Sequence, residues 1–358
     1  MVATINSYKL VRRVLNQEKL FRYNSLLAPI ESLVFRVITI RAVSKFRSAY
    51  DLYLKNGKVP TNIASIIIQA NFKSKGQVRR LALNNRAEQS RAEQVFTKKS
   101  SLFSQNEIEL ALEELKSFGF ARIGMLKDSN LISELDKLSK AQVFSSLDFK
   151  SSGRLNIDLR NKPDQSYDHI WHVQPETALE NIGLQEIILD SFWKQLADNY
   201  LSAPTQISAL RCWHSFEHGS GGRLTPENWH LDAADGLNFI KFFVLLTDVN
   251  ENSGPTSIVP IPSSQLPRKF YTGRRYTDEE VSKLLKSKNC SILNATGKKG
   301  MVYAADTRLL HRGTPVVKGH RFILNWTCSV DSFGTVENEK YILKPSNLLF
   351  GRKDLLDA

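Results

Sequence analysis

The chain has 358 residues, 42% of them hydrophobic, which suffices for a sizeable core in one large domain or two ordinary ones. Its three cysteines, Cys212, Cys290 and Cys328, are far apart and odd in number. They argue against a disulfide framework and a thiolate zinc site, and they favour a reducing, cytoplasmic location. No apolar run approaches the roughly 18 residues that a membrane span needs.

The formal net charge of +13 is concentrated in the first hundred residues. Residues 1–100 carry 19 lysines and arginines against 5 acidic residues, whereas residues 101–358 carry 30 against 31. Apolar residues recur at helical spacing here, for example from Leu33 to Leu54, so we predict a basic α-helical N-terminal extension over residues 1–100. Its charges are dispersed, so we expect no nucleic-acid binding. Packing on the rest of the chain or on a partner protein is the first interpretation, and contact with a membrane surface is the second.

The remaining residues, 101–358, begin with helical signals and continue with strand signals. Ser104 or Asn106 precedes a helical pattern that stops at Gly119, a strand follows over residues 120–123, and Asp128 or Ser129 can cap a second helix. Beyond residue 150, short β-rich runs alternate with turn residues, which favours a β-sandwich or barrel over βαβ units. The runs are residues 207–213, 238–246, 256–259, 300–304 and 321–328, with one helical interruption at 278–288.

Three residues form a candidate metal-binding set. His230 and Asp232 are two apart, so on an extended chain their side chains point to the same face and can hold one ion together. His311 follows 81 residues later, after a predicted strand and turn, and would complete a facial triad of two histidines and one carboxylate, which suits iron(II). Ten residues further, Arg321 opens a strand, and its planar guanidinium can bind a carboxylate through two hydrogen bonds.

From about residue 112 to residue 330 the chain resembles the phytanoyl-CoA dioxygenase family of 2-oxoglutarate oxygenases. The resemblance is carried by WHLD at 229–232, FVLLTDVNENSGPTSIVP at 243–260, ADTRLLHRG at 305–313 and LKSFGF at 115–120. Where that family commonly continues with Gly-Ser-His after the Pro260 turn, this chain has Ile261, Pro262 and Ser263. That loop often borders the substrate, so the resemblance does not identify the substrate.

The resemblance implies a mainly β fold: a double-stranded β-helix, or jelly-roll, with flanking helices. It implies that His230, Asp232 and His311 bind iron(II), that Arg321 binds the distal carboxylate of 2-oxoglutarate, and that Phe243 and Thr314 lie beside this cosubstrate. The expected reaction consumes O2 and 2-oxoglutarate, releases succinate and CO2, and hydroxylates an unactivated carbon of a small organic substrate, with lipid-like or acyl compounds as one class. Halogenating relatives replace the carboxylate ligand by a small residue, so Asp232 favours hydroxylation.

Two alternatives stay open. One is a catalytically silent jelly-roll that binds a ligand without turnover. The other is a zinc-dependent hydrolase, because residues 214–218 match H-x-x-E-H, in which His214 and His218 would bind zinc. That motif requires a helix, whereas here it follows a β-like run and leads into a glycine-rich stretch, so a strand edge and loop are expected.

Overall fold

The computed structural model describes residues 100–141, 143–145, 169–217, 227–232, 238–262, 265–271 and 274–330. Except for residue 100, the predicted basic extension over residues 1–100 lies outside these ranges, so its helices and its boundary stay predictions. No helix in the described ranges is long and apolar enough to cross a bilayer.

The helices of the described residues carry clear capping signals. Helix α1 (Gln105–Phe118) has Ser104 as its N-cap in a capping box with Glu107, and its C-cap is Gly119, whose φ of 66° is in the left-handed region. Helix α6 (Asp278–Lys288) has the same capping box with Thr277 and Glu280. The helices are α1 (Gln105–Phe118), α2 (Ser129–Asp136), α3 (Pro175–Leu179), α4 (Ile182–Ile188), α5 (Ser191–Leu201) and α6 (Asp278–Lys288), with 3-10 turns at Lys137–Lys140 and Arg268–Tyr271.

The strands form two antiparallel sheets. They are β1 (Phe120–Met125), β2 (Val143–Ser145), β3 (Ile170–Val173), β4 (Gln206–Phe216), β5 (Phe239–Leu245), β6 (Thr256–Ile258), β7 (Leu293–Asn294), β8 (Met301–Ala305), β9 (His311–Gly313) and β10 (His320–Ser329). The larger sheet has the order β1-β8-β5-β10-β4-β3-β2, and the smaller has the order β7-β6-β9. Non-consecutive neighbours such as β5 and β10 show that the chain crosses between the sheets. This antiparallel two-sheet arrangement agrees with the predicted jelly-roll.

The two faces of the larger sheet have different neighbours, because side chains alternate along a strand. Its outer face, with Phe242, Leu324 and Trp326, packs in one hydrophobic cluster with α1, α2, α4 and α5. Its inner face, with Phe243 and Tyr303, packs against Ile258 of the smaller sheet. The candidate site lies between the two sheets, on this inner side.

Most elements agree with the sequence predictions. The exceptions are a run of helices between residues 175 and 201 and four short strands outside the predicted runs, β2, β3, β7 and β9. The helix predicted at 278–288 and the two helices near the start have the expected bounds within a few residues. The expectation of strands beyond residue 150 missed α3, α4 and α5. Helices α3 and α4 have five and seven residues, too short to show a helical period. A signal for α5 does exist, because Asp190 is its N-cap and accepts from the Phe192 amide.

Candidate metal centre

His230, Asp232 and His311 lie together on the inner side of the smaller sheet. One potential ligand atom from each residue lies within 4.8 Å of the others. His230 forms an antiparallel bridge with His311, with reciprocal backbone hydrogen bonds of 2.9 Å, so the segment before Asp232 adds to the edge of β9. The Asp232 amide donates to the Thr307 carbonyl at 3.0 Å. Backbone pairing therefore holds together the segments that carry Asp232 and His311, which are far apart in sequence.

Backbone carbonyls fix which nitrogen of each histidine faces the centre. His230 Nδ1 lies 2.7 Å from the Asn228 carbonyl, and His311 Nδ1 lies 2.9 Å from the Leu309 carbonyl. Because a carbonyl only accepts, Nδ1 is the donor in both rings, and Nε2 is the nitrogen left to bind a metal. Each Nε2 lies 3.5 Å from an Asp232 carboxylate oxygen. Both rings therefore have the orientation and tautomer that a metal ligand needs.

A lysine that the sequence patterns did not single out completes the surroundings of Asp232. Lys241, on the inner face of β5, is 6% exposed, and its Nζ donates to Asp232 Oδ2 at 2.8 Å. Burial by itself would raise the pKa of Asp232, but the charge of Lys241, followed by smaller contributions from His311 and His230, outweighs it and holds this pKa well below its usual range. Asp232 is therefore a carboxylate at neutral pH, and it can act as an anionic ligand.

The residues present fit a divalent transition metal. Two imidazole nitrogens and one carboxylate leave further coordination positions open, as expected for a facial triad that binds iron(II). Burial, with smaller contributions from neighbouring charges, lowers the pKa of His230, which keeps its ring neutral and able to bind a metal at neutral pH. The cluster thus combines two imidazole nitrogen donors with one ionised oxygen donor.

Arg321 is buried on the inner face of β10, and its bonding is incomplete. One terminal nitrogen donates to the Gly254 carbonyl, and the other donates to Ser215 Oγ at 3.2 Å. The side chain is 4% exposed, and its Nε has no hydrogen-bond partner among the described residues. A buried guanidinium whose hydrogen bonds go to neutral groups is a suitable receptor for a ligand carboxylate.

The predicted cosubstrate neighbours occupy two different places. Phe243 is on the inner face, stacked on Tyr303 with ring centroids 4.6 Å apart, and the Tyr303 hydroxyl lies 3.0 Å from Thr256 Oγ1. Tyr303, which the sequence patterns did not indicate, therefore belongs with Phe243. The Thr314 hydroxyl lies 2.8 Å from Ser257 Oγ. Ser257 alternates with Thr256 along β6, so this contact is on the opposite side of the smaller sheet from Tyr303.

The alternative zinc site over residues 214–218 lacks the helix that its motif requires. His214 is in β4, where it pairs with Phe322 and stacks on its ring with centroids 3.8 Å apart. This puts His214 on the outer face of the larger sheet, opposite to Arg321 and Ser215. His218 lies outside the described residues. The strand expected here is confirmed.

Comparison with known proteins finds no matching family model and no matching curated protein. Among solved structures, AviO1 from Streptomyces viridochromogenes is similar over 63% of this chain and 96% of its own, with 17% identity and a TM-score of 0.39. SnoN, described as a non-heme alpha-ketoglutarate-dependent epimerase from nogalamycin biosynthesis, is similar over 63% and 84%, with 13% identity and a TM-score of 0.45. HygX from Streptomyces hygroscopicus, solved with nickel and 2-oxoglutarate bound, is similar over 63% and 87%, with 11% identity and a TM-score of 0.42.

These identities are at or below 17%, and the TM-scores are below 0.5. Membership of the phytanoyl-CoA dioxygenase family therefore stays a prediction. What the structure adds is the convergence of His230, Asp232 and His311, with Arg321 on the inner face of the neighbouring sheet.

Proposed function

We propose that this chain is an iron(II)- and 2-oxoglutarate-dependent oxygenase that hydroxylates an unactivated carbon of a small organic molecule. The observation that carries the proposal is the buried cluster of His230, Asp232 and His311, with both Nε2 atoms turned towards one carboxylate. In the proposed reaction the substrate, 2-oxoglutarate and O2 give the hydroxylated product, succinate and CO2. Iron(II) would supply the oxidising chemistry in this reaction.

The chain's own residues would bind the metal and orient the cosubstrate. His230 and His311 are held by their Nδ1 hydrogen bonds, and Asp232 is held by Lys241, so the three donors need little rearrangement on binding. Arg321 would hold the distal carboxylate of 2-oxoglutarate with its buried guanidinium. The apolar faces of Phe243 and Tyr303 would exclude water from the methylene part of that molecule.

Asp232 also supports a choice among outcomes within this class of reaction. It provides a third protein ligand, so no position is left for a halide beside the cosubstrate and O2. Hydroxylation is therefore proposed over halogenation. Thr314 is a weaker candidate for a cosubstrate contact than Phe243, because its hydroxyl lies against Ser257.

The test is an anaerobic titration of the full chain with iron(II) and 2-oxoglutarate, followed by addition of O2. We expect a visible charge-transfer band from the chelated complex, then succinate formation when O2 enters. Asp232→Ala should lose the metal and with it the band. Arg321→Ala should keep the metal but bind 2-oxoglutarate at least about tenfold more weakly, since a charge-assisted hydrogen bond is lost.

Arg122→Ala is the matched control, because Arg122 is an exposed arginine of the same sheet. It should leave the band and the 2-oxoglutarate affinity unchanged. Absence of both the band and succinate from the wild-type protein would defeat the proposal and favour the silent binding module. An unchanged 2-oxoglutarate affinity in Arg321→Ala would show that the cosubstrate assignment is wrong.

A further inference from the structure

The metal cluster belongs to a row of side chains that runs across the smaller sheet and past its edge. Ile258 pairs with His311, and His311 forms a bridge with His230. Trp229 forms an antiparallel bridge with Tyr276, so the next position along, His230, faces Arg275. Residues opposite each other in such pairing point to the same face. Arg275 is therefore the next member of the row after the two histidine ligands.

Contacts on the opposite face of the same segments support this alternation. Arg312 lies over the Trp229 ring at 4.5 Å, and Arg274 lies over the Tyr276 ring at 4.5 Å. Each of these two arginines also has a carboxylate partner on α6, since Arg312 pairs with Asp278 and Arg274 pairs with Glu280. Arg274 and Arg312 thus lie on the face opposite to the metal ligands, where they pair with α6.

Arg275 differs from both of these arginines. It is exposed, and among the described residues no carboxylate lies within ion-pair distance of it. It nevertheless lies close enough to the ligands for its charge to act on His230 and Asp232. An arginine beside the ligands, facing their side and open to solvent, is placed to contact a molecule that enters the site.

The charged groups that act on the ligands and on Arg321 include one more cation than carboxylates. The groups that interact with the ligands or with Arg321 comprise two carboxylates, Asp232 and Glu227, and three cations, Lys241, Arg275 and Arg321. Iron(II) and doubly ionised 2-oxoglutarate would cancel each other. As metal ligands both histidines would be neutral, so the loaded site would keep one positive charge, and Arg275 is the exposed one of the three cations.

We propose that the substrate carries a carboxylate or phosphate group, and that Arg275 binds this group while the carbon to be oxidised lies over the metal centre. The planar guanidinium matches either anion through two parallel hydrogen bonds. The inference rests on the proposed function for the reaction, but anion binding at Arg275 is measurable without turnover.

The experiment compares anionic probes with neutral analogues that have the same alkyl chain. Protein loaded with manganese(II) and 2-oxoglutarate is titrated in a calorimeter with octanoate or octanamide, and with octyl phosphate or octanol. We expect at least one anion to bind about tenfold or more tightly than its neutral match, and to lose that advantage at high salt because an exposed ion pair is screened. The carboxylate and phosphate arms identify which anion the site prefers.

Variants assign the binding to Arg275. Arg275→Gln should abolish the preference for the anion while leaving the affinities for the neutral probe and for 2-oxoglutarate unchanged. Arg275→Lys should keep part of the preference for the anion. Arg274→Gln is the matched control: the adjacent arginine faces the other side and pairs with Glu280, so this variant should behave as wild type within about twofold.

Three results would overturn the inference: equal binding of every anion and its neutral match, equal effects of Arg274→Gln and Arg275→Gln, or loss of 2-oxoglutarate binding in Arg275→Gln. Failure of the proposed function would look different. The charge-transfer band and succinate would then be absent with iron(II), whereas the preference for the anion at Arg275 would persist.

Discussion

Asp232 and Lys241 form a buried ion pair whose two members lie on different sheets. Their Oδ2 and Nζ atoms are 2.8 Å apart, and the side chains are 18% and 8% exposed. Desolvation makes such a pair a weak source of net stability, but removal of one partner leaves a buried charge uncompensated. The pair therefore constrains where the carboxylate can lie. That constraint is useful at a metal ligand, because one oxygen is held while the other stays available.

Lys241→Met is expected to destabilise the metal-free protein by about 3 kcal/mol at pH 7. The depressed pKa of Asp232 contributes stability above its unfolded value, near 4, and this contribution is lost as pH falls through the folded value. The difference between wild type and variant in the free energy of unfolding, measured with urea, should therefore become smaller below about pH 4. Lys241→Arg, which keeps the charge, should recover most of the loss. If the difference in the free energy of unfolding did not change with pH, the Asp232–Lys241 pair would not be its cause.

His214 is a buried histidine that the proposed function does not use. It is 4% exposed, neither ring nitrogen has a hydrogen-bond partner among the described residues, and burial lowers its pKa to about 3. Unfolded, it would take up a proton below about pH 6.5, so acid favours the unfolded state by roughly 1.4 kcal/mol per pH unit. His214→Phe keeps the stacking on Phe322 and removes both unpaired nitrogens.

We expect His214→Phe to stabilise the protein by about 1 kcal/mol at pH 7 and by about 4 kcal/mol at pH 4. Urea unfolding across this pH range measures both values. The neighbouring His320 is exposed, so His320→Gln should change stability by no more than about 0.5 kcal/mol. Destabilisation by His214→Phe at both pH values would show that a ring nitrogen of His214 is bonded in solution.

Among the elements, helix α6 packs against the side of the His230 segment that faces away from the metal ligands. Asp278 at its first turn accepts a hydrogen bond of 2.8 Å from the buried Trp229 Nε1 and pairs with Arg312. Val281 and Leu284 of the helix join Trp229 and Leu231 in one hydrophobic cluster. The residues packed by α6 alternate in sequence with the ligands His230 and Asp232. The helix therefore fixes the strand that carries two of the three donors.

Asp278→Ala is expected to lower stability by about 1 to 2 kcal/mol, because the buried indole N–H loses its partner. It should also weaken metal binding, measured by cobalt(II) titration, since the strand of His230 loses support. Glu279→Ala is the matched control: Glu279 is also in the first turn, but among the described residues it pairs only with the exposed Lys283. Equal metal affinity in the two variants would indicate that α6 does not position the ligands.

At the scale of the whole molecule, the site depends on how the two sheets face each other. The histidines come from the smaller sheet and its edge, whereas Lys241, Arg321 and Phe243 come from the inner face of the larger one. The metal ion binds only the folded chain, because the unfolded chain does not hold the three donors together. Metal binding should therefore stabilise the fold.

Cobalt(II), which accepts the same nitrogen and oxygen donors as iron(II), should raise the free energy of unfolding by about 2.7 kcal/mol at a hundred times its dissociation constant. Thermal unfolding with and without the ion measures this effect. Magnesium, which prefers oxygen ligands, should stabilise much less at equal concentration. Asp232→Ala should show no cobalt effect. Equal stabilisation of wild type and Asp232→Ala would place the ion elsewhere.

Features that depend on neighbours along the chain could be predicted from the sequence. The cap at Ser104, the helix at 278–288, the strand at 321–328 and the spacing of His230 and Asp232 follow from local periodicity and turn chemistry, and the structure has each of them. Helices α3 and α4 were missed because they are too short to show a period, whereas α5 was missed despite its N-cap signal at Asp190.

Which distant residues meet the metal ligands depends on contacts between segments that are far apart in the chain. Lys241, Tyr303 and Arg275 carry no sequence signal for a site, because alternation along a strand gives two faces without saying which is inward. Pairing between β5, β8 and β10 turned Lys241 and Tyr303 inward, and the bridge at Trp229 put Arg275 beside His230. The ligands could be read from spacing along the chain, whereas their surroundings required contacts between sheets that are remote in sequence.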